Sequence, residues 1–311
     1  MALDPKVKVL LEEMEAAGTP PLDSLPPAQA REAFQGLNQL SAEQAEPVAK
    51  VENRSIPGPE ADIPVRIYSP DGEEPHPAVV FFHGGGWVIG NLDSHDNVCR
   101  ALTNLANCVV VSVDYRLAPE SKFPAAVHDC YAATQWVFEH PSELNIDSSR
   151  VAVAGDSAGG NLSAVVSHMA KERGTPELVH QVLIYPATDF TATTESLREN
   201  AEGYFLTKGE MFYFRDHYLS GPEDAENPMA SPYLNNDYSG LPPATVITAE
   251  YDPLRDEGEA YALRLKEAGV PVTQKRYEGM IHGFVSMADE LEQGKQALQF
   301  AADSLRSAFA D

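Results

Sequence analysis

The sequence predicts an α/β fold: a mostly parallel central sheet flanked by helices, with a helical cap from the N-terminus and an insertion. Three observations carry this. Short runs rich in Val and Phe, such as 78–82 and 109–113, have the composition of strands buried on both faces. From there on strand and helix signals alternate, the pattern of parallel strands joined by crossover helices. One long stretch, 187–230, breaks the alternation. It carries Phe190, Tyr204, Phe205, Phe212, Tyr213, Phe214 and Tyr218, and so should pack on something rather than serve as a linker.

Each element follows from its pattern. Val7, Leu10, Leu11 and Met14 fall on one helical face over 6–17. Pro20, Pro21, Pro26 and Pro27 interrupt it, and Ala33, Leu37 and Leu40 mark a second helix over 28–45. Ile63, Val65 and Ile67 alternate with Pro64, Arg66 and Tyr68, as in a half-buried strand. Further strands are expected at 150–154, 182–185, 244–248 and 270–277. Helices are expected at 124–139, 158–171, 208–219 and 256–268, with a closing helix through Leu291, Leu298, Phe300 and Leu305. The expected organisation is a catalytic body of residues 46–186 and 231–311, with 1–45 and 187–230 as the two parts of the cap.

Composition narrows the function. The 311 residues include 22 basic and 47 acidic side chains, a net charge of −25 that opposes binding to nucleic acid or to an anionic membrane surface. This charge serves solubility, and adaptation to salt is the sharper alternative. No apolar run is long enough to span a bilayer. Met1-Ala2-Leu3-Asp4-Pro5-Lys6 lacks the charged and apolar regions of a secretory leader. Cys99, Cys108 and Cys130 are an odd number without framework spacing, as expected for reduced thiols in a cytoplasmic protein, monomeric or homodimeric.

The chemistry concentrates at Gly155-Asp156-Ser157-Ala158-Gly159-Gly160, directly after the apolar run 151–154. A serine between glycines, where a strand turns sharply into a helix, is pushed into the open with its hydroxyl free to attack. Its bland alternative is a glycine-rich turn whose serine caps the helix. A serine hydroxyl needs a neighbouring base, and imidazole suits the task near neutral pH. The imidazole in turn needs a carboxylate to fix its tautomer. His282, between Gly279-Met280-Ile281 and Gly283-Phe284, follows the last expected strand, at the end of a parallel sheet where ligand chemistry belongs. His95, His128, His140, His168, His180 and His217 fall on helices, loops or surface positions suited to solvated or capping roles. His76 lies in a proline-rich turn, and His83 is expected to brace its loop. Asp252, in the loop after strand 244–248, is favoured as the acid over Asp256, which begins the next helix and suits a terminal charge.

A tetrahedral intermediate needs rigid donors for its oxygen, and backbone N–H groups of a glycine run serve well. Ala158, after the nucleophile, and Gly84, Gly85 and Gly86 of His83-Gly84-Gly85-Gly86-Trp87 are the candidates. A phosphate cradle is the alternative for this run, but no Lys-Ser/Thr signature follows it. No H-E-x-x-H is present, and neither metal nor cofactor is expected.

Together with Asp114-Tyr115-Arg116-Leu117-Ala118-Pro119-Glu120 and Asp252-Pro253-Leu254-Arg255-Asp256-Glu257-Gly258, these blocks resemble the hormone-sensitive-lipase-like (bacterial family IV) carboxylesterases of the α/β-hydrolase superfamily. Ser157, Asp252 and His282 keep the serine–acid–histidine order of that superfamily. The resemblance implies the α/β-hydrolase fold, a two-part cap and hydrolysis of carboxylic esters. It also implies a structural charged pair, Asp114 and Arg116, beneath the site. Folded over the strand ends, the apolar faces of 1–45 and 187–230 would roof a pocket of finite volume, which favours short to medium acyl chains. Asp156 is expected to hydrogen-bond locally and shape the elbow. Two other classes share the pattern: an amidase or peptidase using the same three residues, and a non-catalytic small-molecule binding protein on this fold.

Overall fold

The computed structural model describes residues 2–18, 20–38 and 45–310, without the side chains of 36–38. The expectations for Leu37, Leu40 and the end of the second helix therefore lie outside the described residues.

Eight strands form one sheet: β1 (Lys50–Ile56), β2 (Ile63–Ser69), β3 (His76–Phe82), β4 (Val109–Val113), β5 (Ile146–Asp156), β6 (His180–Ile184), β7 (Ala244–Tyr251) and β8 (Val272–Ile281). Their order is β1-β2-β4-β3-β5-β6-β7-β8. β2 runs antiparallel to β1 and β4, and every pairing from β4 through β8 is parallel. β1 is absent from the sequence reading because its Lys-Val-Glu-Asn-Arg-Ser-Ile run is polar. It sits at the sheet edge, where charged side chains block further pairing. Tyr68 also departs from the alternation: it is fully buried and donates to Asp96 Oδ1 at 2.6 Å.

The helices are α1 (Pro5–Ala16), α2 (Pro27–Asn38), α3 (Asp96–Ala106), α4 (Ala125–Glu139), α5 (Pro141–Leu144), α6 (Ala158–Arg173), α7 (Glu195–Glu199), α8 (Lys208–Tyr218), α9 (Pro222–Ala225), α10 (Arg255–Glu267) and α11 (Glu292–Ala310). α4 and α6 cover one face of the sheet through Val127, Tyr131, Leu162 and Val166. α3 and α11 cover the other through Leu102, Leu298 and Leu305. Between them β3, β4, β6 and the second half of β5, from Val151, are buried, as expected where no face meets water.

The two irregular segments of the chain meet each other. In the insertion, Thr207 and Glu210 close a capping box on α8, and Glu210 also accepts from Leu22 N–H. Tyr213 donates to Leu25 O at 3.0 Å. Phe214, Tyr218 and Leu206 are buried in the same apolar cluster as Ala30 of α2, with Leu22, Leu25 and Phe34 packed against it. Arg31 ties α2 to the body, donating to Val88 O and Ala118 O and pairing with Glu120. Among the described residues no helix is long and apolar enough to cross a membrane.

Candidate active site

Parallel strands deliver their following loops to one end of the sheet. The loops after β3, β5, β7 and β8 therefore converge, bringing His83–Gly86, Ser157, Asp252 and His282 together. At the turn from β5 to α6 Ser157 adopts φ 54° and ψ −115°, a conformation that costs a non-glycine residue about 1–3 kcal/mol. Its N–H donates to Ile184 O at 2.8 Å, and its side chain makes no capping bond to the helix. The capping alternative is therefore not adopted. Gly159 is required here, because a Cβ would fall 1.8 Å from Phe82 O.

His282 Nε2 lies 2.9 Å from Ser157 Oγ, and its Nδ1 lies 2.8 Å from Asp252 Oδ2. A carboxylate only accepts, so Nδ1 carries the proton and Nε2 presents its lone pair to the serine hydroxyl. Asp252 is fully buried, and its second oxygen accepts from Leu254 N–H at 2.8 Å. With both oxygens committed, the carboxylate fixes the ring orientation. Asp256 points elsewhere: it accepts from Ser196 N–H at 2.7 Å and pairs with Arg255. Glu250 accepts from Gly279 N–H at 2.7 Å, steadying the loop that carries His282.

Gly84 donates to Asp156 Oδ1 at 2.8 Å, so its N–H is already engaged. This departs from the sequence expectation, which placed Gly84 among the oxyanion donors. Nothing among the described residues accepts from the N–H of Gly85 or Gly86. Ala158 is the first residue of α6, where helical N–H groups lack intrahelical partners. Three N–H groups are thus available around Ser157.

Several expectations are corrected. Asp156 reaches across to the glycine loop and to His95 rather than bonding locally. His95, His168 and His180 are buried, not solvated, and pair with Asp156, Tyr261 and Thr245. Arg116 pairs with buried Asp129 through two 2.8 Å bonds, and also with Glu60, rather than with Asp114. Burial pushes Asp114 up to about 6, with Asp93 adding to the rise. Tyr115, between them, donates to His83 O at 2.7 Å and stacks on the His83 ring at 4.3 Å. His83 braces its loop by donating from Nδ1 to Gly84 O at 2.8 Å. Burial, then the proximity of His95, lowers His83 to about 4, so it is neutral and no proton shuttle.

A cavity of about 1150 Å³ opens above Ser157 and His282. It is lined mainly by apolar groups, including Leu22 and Phe34 from the N-terminal segment and Leu206, Met211 and Phe214 from the insertion. Glu257, to which the sequence assigns no role, also lines it. Its carboxyl accepts from Thr188 N–H at 2.6 Å and Asp189 N–H at 3.3 Å, and burial pushes it up to about 8. Among the described residues no cluster of His, Cys, Asp and Glu could hold a metal ion.

The family described as alpha/beta hydrolase fold matches residues 79–286. The chain is 43% identical over 293 residues to the carboxylesterase NlhH of Mycobacterium tuberculosis, covering 92% of this chain and 90% of that protein. It is 48% identical over 243 residues to the carboxylic ester hydrolase LipN of the same organism. That match covers 76% of this chain and 65% of LipN. The fold superimposes on a hyperthermophilic esterase from the archaeon Pyrobaculum calidifontis with a TM-score of 0.95, at 47% identity and 99% coverage of both chains. On this sequence and structural likeness, the chain belongs to the hormone-sensitive-lipase-like (family IV) carboxylesterases of the α/β-hydrolase superfamily.

Proposed function

We propose that the chain is a serine carboxylesterase that hydrolyses short- to medium-chain carboxylic esters through an acyl-enzyme on Ser157. The observation that carries this reading is the unbroken relay Ser157 Oγ–His282–Asp252, at 2.9 and 2.8 Å. Ser157 Oγ attacks the ester carbonyl carbon as its proton passes to His282 Nε2. Buried Asp252 stabilises the imidazolium that forms. The carbonyl oxygen becomes an oxyanion held by the N–H groups of Gly85, Gly86 and Ala158. These are fixed before reaction and cost no reorganisation. As the intermediate collapses, His282 gives its proton to the leaving alkoxide, and the alcohol departs. Water then attacks the acyl-enzyme, losing a proton to His282. As this second intermediate collapses, the bond to Ser157 Oγ breaks, His282 returns the proton to Oγ and the acid is released.

Residues 1–45 and 187–230 serve as the two-part cap. Support comes from the cavity lining, to which both segments contribute apolar side chains. Each further CH₂ of an acyl chain buried there contributes about 0.8 kcal/mol until the space is filled. Beyond that length crowding opposes binding, hence the preference for short to medium chains. The substrate is a small ester, and nothing in the site calls for a macromolecular partner.

The test combines labelling with a substrate series. An organophosphate should label Ser157 stoichiometrically and abolish turnover. Soluble esters of graded acyl length should give a maximum of kcat/KM at short to medium chains, with no jump in rate at an emulsion interface. Faster hydrolysis of long-chain triglyceride emulsions, or of anilides over matched esters, would sink the proposal.

A further inference from the structure

Beneath the glycine loop lies a buried polar chain that no step above uses. Asp156 takes Gly84 N–H at 2.8 Å through Oδ1, and His95 Nε2 lies 3.1 Å from Oδ1 and 3.3 Å from Oδ2. His95 is 2% exposed and Asp156 6% exposed. The Nδ1 atom of His95 is 2.9 Å from Ser94 Oγ, which also bonds to both the N–H and the C=O of Asn91. This chain runs from the residue beside the nucleophile to the loop entering α3, in a different part of the fold.

We propose that His95 is a positioning residue. Acting through Asp156, it fixes the Gly84 peptide and so aims the N–H groups of Gly85 and Gly86 at the developing oxyanion. The proposal rests on the reading of that loop as the oxyanion hole.

Two features carry it. First, Gly84 directly precedes the two donor glycines, separated from the strand end at Phe82 by His83 alone. It is held from both sides, at N–H by Asp156 and at C=O by His83 Nδ1. A Cβ on residue 84 would fall 2.4 Å from Asp156 Oδ2, so loop and carboxylate are in close contact. Second, among the described residues the side-chain hydrogen-bond partner of Asp156 is His95. Because a carboxylate accepts only, Nε2 carries the proton of that bond. Burial alone would raise Asp156. Attraction to His95, the bond to it and the bond from Gly84 outweigh burial and hold the carboxyl below the usual range. His95 is thus the side chain that, with the Gly84 N–H, holds the Asp156 carboxylate in place. The other ionisable ring facing His95 is neutral His83, at 5.7 Å between centroids. Released from His95, the Asp156 side chain could rotate, and the donor glycines would lose their register. Misplacement by about 1 Å is enough to cost some 100-fold in rate.

The experiment compares His95→Leu, which cannot donate, with His95→Gln, whose amide can. Substrate turnover is measured alongside binding of two probes: a trifluoromethyl ketone and the corresponding trifluoromethyl alcohol. Ser157 Oγ adds to the ketone carbon, its proton moves to His282, and the former carbonyl oxygen becomes an oxyanion. The alcohol makes no such bond. We expect His95→Leu to lose roughly 10- to 100-fold in kcat with KM changed less than about threefold. Ketone affinity should fall in step with kcat/KM, while alcohol affinity holds. His95→Gln should recover most of the loss. Should His95→Leu not fold, His95→Asn, too short to reach Asp156, gives the same comparison. The proposal is overturned if the ketone-to-alcohol affinity ratio matches wild type in a folded variant that lacks the donor. If wild type itself binds the ketone no better than the alcohol, the reading of the oxyanion hole fails, and the proposal with it.

Discussion

The floor and the roof of the cavity are held by different forces. On the floor, nearly every group around Ser157 is fixed by a directed bond: His282 to Asp252, Asp252 to Leu254, Gly84 to Asp156, His83 to Tyr115. The roof, from the N-terminal segment and the insertion, rests largely on an apolar cluster that includes Leu22, Phe34, Leu206 and Phe214, anchored by polar bonds at Arg31, Tyr213 and Glu210. Hydrogen bonds specify position because they weaken steeply with angle and distance. Apolar contact is non-directional and tolerates repacking. On the proposed reading, the floor places atoms for one reaction and the roof repacks around different acyl or alcohol groups.

The largest expected effects come from breaking the floor. Ser157→Ala or His282→Ala should each reduce kcat by about four to six orders of magnitude, because such residues act as a unit. The thermal midpoint should stay within a few degrees of wild type. A variant that keeps a hundredth of the activity would show that the relay is not the reacting group. Asp252→Asn should cost about 10⁴ in kcat, since an amide at that position favours the wrong imidazole tautomer. Asp256→Asn should cost less than about tenfold, because its partners are Ser196 and Arg255, not His282. The reverse ranking in folded protein would reassign the acid.

Damage to the roof should change selectivity more than chemistry. Phe214 sits against Gly86, where a Cβ would fall 2.2 Å from its ring. Phe214→Ala should lower stability by about 3 kcal/mol, the lower end for losing a buried aromatic ring. It should also shift the optimum of kcat/KM towards longer or bulkier esters, with the rate on short-chain esters changed only a few-fold. An equal loss on all chain lengths would mean that Phe214 belongs to the floor. Removal of residues 1–45 should have a broader effect, lowering stability and flattening the chain-length profile.

The sequence made the floor more legible than the roof, for the same physical reason. Ser157, His282 and Asp252 announce themselves by residue type and by position after strands, because the chemistry tolerates few substitutes. The sheet was legible too, since β3, β4 and β5 are apolar runs that only a buried parallel strand requires. β1 was not: a charged edge strand gains its order from pairing with β2, which composition does not encode. α3 is not legible because it follows a glycine-rich loop without a clear start signal, and nothing in the sequence separates His95 before it from the histidines suited to solvated or capping roles. Arg116 was paired with the wrong acid, because Asp129 lies 13 positions away and only the fold brings it near. Gly84 looked equivalent to its two neighbours, and only the Asp156 contact separates them. In the roof, apolar faces were visible, but nothing in them states which faces meet.

Glu257 joins floor to roof, and its charge gives the smallest and sharpest test. It stands on α10, yet its carboxyl accepts from Thr188 and Asp189 at the start of the insertion. Burial outweighs those two donors and raises it from the ordinary 4.5 to about 8. In the unfolded chain the proton leaves near 4.5, whereas the folded chain keeps it to about 8. Between these values the native state binds more protons than the unfolded state, so stability falls as pH rises through that window. Glu257→Gln keeps an oxygen for the two N–H groups and has no proton to lose. Its thermal midpoint should match wild type near pH 5 and exceed it progressively up to about pH 8, where the difference levels off. Wild type equal to or more stable than the variant at pH 8.5 would mean that Glu257 is ionised in the fold. The joint between floor and roof would then be held by charge rather than by a neutral hydrogen-bonded carboxyl.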